Sequence, residues 1–138
     1  MTVHTGLLRL ETEGQGAIVD LTQGVLAVVA QSEVTHGLVS VFVTGSTAAV
    51  TTMEYEPGGV QDLQQTLERL VPRARDYAHN ALNRDDNAHA HLRASLVGPS
   101  ETVPLIGGRL ALGTWQQLVL VDFDTRPRRR EVHVQVVS

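Results

Sequence analysis

Cysteine is absent from this chain of 138 residues. That excludes a disulfide framework, a thiolate nucleophile and any Cys-containing zinc site, and leaves histidine and carboxylate as the available metal ligands. Lysine is absent too, because all 11 basic residues are arginine. Composition bias or thermal adaptation is the first explanation of such usage, and the alternative is that some arginines hold a phosphate or carboxylate with their planar fork. Aromatics are scarce, with two Phe, two Tyr and one Trp. The core must therefore be built from Val, Leu and Ala, and a stacking platform for single-stranded nucleic acid is disfavoured. No run approaches the roughly 20 apolar residues of a membrane span. Met1 to Glu13 lacks the basic-then-apolar layout of a secretory signal, so cytoplasmic residence is expected. The formal charge of −4 supplies no basic field to attract nucleic acid.

The remaining composition, 42% hydrophobic and 19% charged, is that of one folded domain with its own core. Val3 to Glu11 alternates as a strand with one buried face, and Gly14-Gln15-Gly16 turns the chain into Ala17 to Leu21, which reads as a hairpin. Asp20 and Thr22 are caps for a helix carrying Val25, Val28, Val29 and Ser32 on one face. Leu38 to Thr44 and Ala48 to Glu54 are rich in β-branched or small residues and read as strands. Pro57-Gly58-Gly59 breaks the second of them. Gln61 to Leu70 is an amphipathic helix with Leu63, Leu67 and Leu70 on one face, closed by Pro72. Arg73 to Ala90 has no apolar periodicity and reads as a polar loop. Thr102 to Ile106, Arg109 to Leu112, Gln116 to Phe123 and Glu131 to Val137 follow as a strand-rich meander. Strands and helices are partly segregated, so the expected fold is α+β, with two packed sheets flanked by helices in one domain over residues 1–138.

The densest chemistry lies in Asp85-Asp86-Asn87-Ala88-His89-Ala90-His91, with His79 upstream. Imidazoles at i and i+2 project to one side of an extended chain. If the segment is extended, His89 and His91 can share an ion with His79, leaving an open position as in catalytic zinc sites. A polar segment with a satisfied core histidine is the alternative reading of the same spacing. Gly113-Thr114-Trp115-Gln116 is the second candidate, in which Trp115 packs in the core or an interface and Gln116 fixes backbone groups or orients a substrate amide or pyrimidine. Gly45-Ser46-Thr47 offers N–H groups and hydroxyls as an anion nest but lacks a P-loop ending. Glu54 and Glu56 flank Tyr55 and are either general-base candidates or solvated turn residues. Arg126, Arg128, Arg129 and Arg130 cluster near the end of the chain.

In order along the chain, Gly37 to Val43, Ser46 to Thr51 with Glu54, Leu70-Val71-Pro72 and Tyr77-Ala78-His79-Asn80 resemble the YjbQ-like family. So do Asn87 to Leu96 with Gly98, then Pro104, Gly113-Thr114-Trp115-Gln116, Asp122 and Pro127-Arg128-Arg129-Arg130. The resemblance spans nearly the whole chain. It implies an α+β fold with mixed or antiparallel sheets bent into a β-sandwich flanked by helices, a trimer with sites near subunit boundaries, and a polar pocket around His79 and His91. It also implies a thiamine-phosphate synthase-like activity, joining a phosphorylated hydroxymethylpyrimidine to a thiazole phosphate with loss of pyrophosphate. On that basis His79, His91, Gln116 and Glu54 are the expected catalytic residues. Ser46, Thr47, Asn87, Arg93, Trp115, Asp122, Arg128 and Arg130 are expected to bind a phosphorylated small molecule. His79, His89 and His91 are the expected ligands of a divalent metal, Zn²⁺ or Mg²⁺. The chain departs from the family pattern at Gly45, where many members have histidine, at Met53, where many have asparagine, and at Asp122, where many have glutamate.

Overall fold

The valine-rich stretches pair into two antiparallel sheets. The computed structural model describes residues 1–138. Its strands are β1 (Val3–Thr12), β2 (Ala17–Asp20), β3 (Gly37–Val43), β4 (Ala48–Met53), β5 (Ser100–Ile106), β6 (Arg109–Leu110), β7 (Gln117–Asp122) and β8 (Arg128–Val137). The helices are α1 (Thr22–Ser32), α2 (Pro57–Leu70), α3 (Ala78–Asn83) and α4 (Ala88–Val97). One sheet has the order β1-β8-β3-β5-β6 and the other β2-β7-β4.

Side-chain alternation decides how the layers stack. Val39, Val41, Val43, Val132, Val134 and Val136 of the larger sheet meet Val50, Leu118 and Leu120 of the smaller one, with Val25, Val28 and Val29 of α1 completing that core. The other face of the smaller sheet packs Ala49, Val119, Val121 and Phe123 against Leu67 of α2 and Ala90 and Ala94 of α4. Buried on both faces, β7 reads as a nearly unbroken apolar run ending in Asp122. The outer face of the larger sheet carries no helix.

Four sequence expectations change. The Gly14-Gln15-Gly16 turn, all three residues at positive φ, does not close a hairpin. It carries the chain between sheets, since β1 pairs with β8 and β2 with β7. The final strands are likewise no simple meander, because β7 lies between β2 and β4 while β8 lies between β1 and β3. The polar stretch Arg73 to Ala90 contains α3 and the start of α4. Its missing apolar period has a physical cause: α4 faces the sheet with alanines, whose small side chains let the helix approach closely. Pro57 opens α2 rather than ending a strand, since Glu56 accepts the N–H groups of Gly58 and Gly59 and proline suits the first helical turn.

Candidate functional site

At one end of the sandwich the inward positions change from apolar to charged. Asp122 continues the inward row of Leu118 and Leu120, and Arg130 that of Val132 and Val134. Asp122 is fully buried and Arg130 is 6% exposed. Arg130 grips the carboxylate in a fork, Nε donating to Oδ2 and Nη2 to Oδ1, both at 2.8 Å. Nη2 also donates to Thr47 Oγ1 at 2.7 Å. The Thr12 hydroxyl donates to Asp122 Oδ2, and the Asp124 N–H donates to Oδ1 at 3.1 Å. Thr47 in turn donates to Asp124 Oδ2 at 3.1 Å, which also accepts Arg128 Nε at 2.6 Å. Burial alone would raise the pKa of both aspartates. For Asp122 the hydrogen bonds from Arg130, Thr12 and the Asp124 N–H outweigh it, and for Asp124 those from Arg128, the Thr125 N–H and Thr47 do, so both carboxyls lie below their ordinary value.

The turn between β3 and β4, from Thr44 to Thr47, joins this network to the histidines. His91 Nδ1 lies 3.1 Å from the Ser46 carbonyl oxygen. A carbonyl only accepts, so Nδ1 carries the proton and Nε2 of the neutral ring keeps its lone pair. The His79 and His91 rings meet edge to face, with centroids 4.8 Å apart. His79 Nε2 donates to Asn87 Oδ1 at 2.9 Å, while Asn80 Oδ1 accepts the Ala88 N–H at 3.0 Å and ties α3 to the start of α4. His91 Nε2 has no protein partner. Ser46, Thr47, His79, Asn87, His91, Asp122, Arg128 and Arg130 therefore belong to one connected neighbourhood. Thr12 and Asp124, which sequence reasoning missed, complete it.

Other expected site residues lie elsewhere. His89 sits within α4, where residues two apart point about 200° from each other. It is turned inward and 3% exposed, and its Nδ1 is buried with no partner. The helix thus removes the extended geometry on which a shared three-histidine site depends, and no group of three His, Asp or Glu side chains is placed to hold a metal ion. Arg93 is not free for substrate. Its Nε and Nη2 donate to the Val71 carbonyl at 3.0 and 2.8 Å, and it pairs with Glu68, clamping the end of α2. Trp115 is 72% exposed. Gln116 donates to Thr52 Oγ1 and accepts the Gly113 N–H, both at 3.0 Å. Glu54 lines an open cleft with Thr52 and Glu56. Glu54, Trp115 and Gln116 lie at the opposite end of the smaller sheet from Asp122, roughly 20 Å away along β7. Within one chain they do not join the histidines.

His89 makes stability depend on pH. Burial, then Arg93 and Arg73, lower its pKa. Its neutral form is favoured in the fold, so no stability is lost above the unfolded value of about 6.5. Below that pH the unfolded chain binds the proton first and stability falls until the lower folded value is passed. A His89→Leu variant is expected to gain melting temperature over the parent at about pH 5 relative to about pH 8. An equal change at both would show that this imidazole titrates as though exposed.

The main concavities of the chain include neither His79 nor His91. One of them runs along Arg9 to Glu11 and Arg129 to Glu131. The histidine pair lies half-buried on an open surface. No helix is long and apolar enough to cross a membrane.

Comparison with known proteins places these features in a family. The sequence pattern of the UPF0047 protein YjbQ-like family matches residues 7–138. A UPF0047 protein of Methanothermobacter thermautotrophicus is 40% identical over 138 residues, covering 100% of this chain and 94% of the relative. A UPF0047 protein of Mycobacterium tuberculosis is 41% identical over 136 residues, covering 99% of each. The crystal structure of a hypothetical protein from Aeropyrum pernix superposes with a TM-score of 0.90 at 34% identity, covering 97% of this chain and 98% of that one. With its family pattern matched over residues 7–138 and relatives of about 40% identity along nearly its whole length, the chain belongs to the YjbQ-like UPF0047 family.

Proposed function

We propose that the chain is an enzyme acting on phosphorylated small molecules, with His91 exchanging a proton through Nε2. One observation carries this reading: an imidazole anchored at Nδ1 by the Ser46 carbonyl leaves its other nitrogen unpartnered at the surface. A fixed tautomer with one free nitrogen is what general acid–base catalysis requires. His79 packs against that ring and holds its orientation. The activity suggested by the family resemblance is a thiamine-phosphate synthase-like transfer. In it the thiazole nitrogen bonds to the pyrimidine methylene carbon as the C–O bond to pyrophosphate breaks. Protonated His91 would neutralise charge developing on the departing oxygen. The side chains present do not form a resident metal site, so a divalent ion enters this reading only with the substrate's phosphates.

The open position of the histidine pair supports a homotrimer in which a neighbouring protomer covers it, and exposed Trp115 is suited to such a contact. The test is pyrophosphate release when both substrates are supplied. A purified protein that binds the phosphorylated substrates but releases nothing above the buffer rate would overturn the enzyme reading. It would leave a binding module for a phosphorylated metabolite.

A further inference from the structure

We infer that the Gly45-Ser46 turn and the outer nitrogen of Arg130 form a phosphate-binding cradle, opened in this chain by the glycine at 45. The inference rests on the proposal that the ligand is phosphorylated, and it assigns where the phosphoryl group sits. Arg130 is buried but incompletely paired. Its Nε and Nη2 meet Asp122 and Thr47, whereas Nη1 donates to nothing in the chain. Nη1 is also not among the buried side-chain atoms sealed off without a partner, which are His4 Nε2 and His89 Nδ1. The nitrogen therefore reaches solvent from an otherwise enclosed guanidinium.

The opening lies at Gly45. A Cβ there would stand 2.7 Å from Nη1, and the backbone takes φ +134°, which glycine alone adopts without strain. The N–H groups of Gly45 and Ser46 lie outside the strands and make no hydrogen bond within the chain. Consecutive free N–H groups beside a guanidinium form a donor-lined anion site.

The carboxylates beside Arg130 are already occupied. Both oxygens of Asp122 and both of Asp124 already accept hydrogen bonds from Arg130, Thr12, Thr47, Arg128 and backbone N–H groups. A site made of donors alone selects a ligand made of acceptors, and a phosphate monoester meets that requirement. Arg128 and Arg130 offset Asp122 and Asp124 in formal charge, so affinity must come from directed N–H bonds. Inorganic phosphate alone is expected to bind weakly, with a Kd on the order of 1 mM.

The experiment is a titration of the full chain with inorganic phosphate, followed by ¹H–¹⁵N spectra. Saturable shifts are expected at the Gly45 and Ser46 amides and at the Arg130 guanidinium. Gly45→Ala should weaken binding about tenfold or more by covering Nη1. Gly98→Ala serves as the control, because Gly98 also has positive φ, at +98°, but no neighbour within 4 Å; it should bind phosphate as the parent does. If Gly45→Ala does not fold, the titration of the parent protein still decides. Unmoved Gly45 and Ser46 amides at saturating phosphate, or parental affinity in folded Gly45→Ala, would overturn the cradle. Pyrophosphate release with those amides unmoved would overturn the cradle and leave the enzyme reading standing. Phosphate bound at the turn without turnover would uphold the cradle and overturn the enzyme reading.

Discussion

Asp122→Asn is expected to lower stability by about 3–5 kcal/mol, the range for breaking a buried ion pair by removing one partner. For a chain of this size that is roughly 10–20 °C in melting temperature. The reason lies in what the change leaves behind. Arg130 stays buried and charged, and an amide cannot accept both arms of its fork while also accepting from Thr12 and the Asp124 N–H. Removing both charges should cost far less, because the site continues the apolar rows of β7 and β8. The double variant Asp122→Leu with Arg130→Met is expected to recover most of the loss, leaving mainly the Thr12 hydroxyl and the Asp124 N–H without their acceptor, at about 1 kcal/mol each. Acid should reproduce the single substitution. Because the pKa values of Asp122 and Asp124 are depressed in the fold, their stabilisation is complete above the unfolded carboxyl value near 3.9 and disappears as pH falls through the lower folded values. Denaturant melts across that range would check it. A single variant within about 1 kcal/mol of the parent would mean that water, rather than Arg130, solvates the carboxylate.

The second large effect is on turnover. His91→Gln should reduce pyrophosphate release by about 10²–10⁴-fold, the usual contribution of a positioned general acid or base. Glutamine can still donate to the Ser46 carbonyl through its amide, so the melting temperature should change little. That separation matters because the same turn connects to the buried network. A loss of activity accompanied by a large loss of stability would indicate that His91 is a strut for the turn, and an undiminished rate would remove it from the chemistry.

How much of this was legible in the sequence depends on the range of the interactions. The runs Leu38 to Thr44 and Ala48 to Glu54 carry local strand signals, and they fold as β3 and β4. Leu63, Leu67 and Leu70 likewise mark α2. The partners of β2 and β7 were not legible, since a glycine-rich turn shows where the chain bends and not which sheet it enters. The site divided along the same line. Ordered motifs brought His79, Asn87, His91, Asp122, Arg128 and Arg130 into view, and the fold gathers them. Arg93 was misjudged because its role depends on the end of α2, a tertiary contact. His89 was misjudged because alanine packing turned a polar segment into a helix. Asp124 and Thr12 did leave a signal. Charged or hydroxyl residues stand at the inward parity of Leu118-Val119-Leu120-Val121-Asp122-Phe123-Asp124 and of Leu8 to Thr12, where the alternation demands apolar ones.

Proton exchange by His91 requires the Ser46 carbonyl to hold Nδ1 with Nε2 left free, and ¹⁵N NMR of the histidine rings in the full chain at about pH 8 reads this directly. The proton is expected on Nδ1 and the lone pair on Nε2, opposite to the tautomer that imidazole side chains favour in water. A proton on Nε2, or rapid averaging between the two nitrogens, would contradict it.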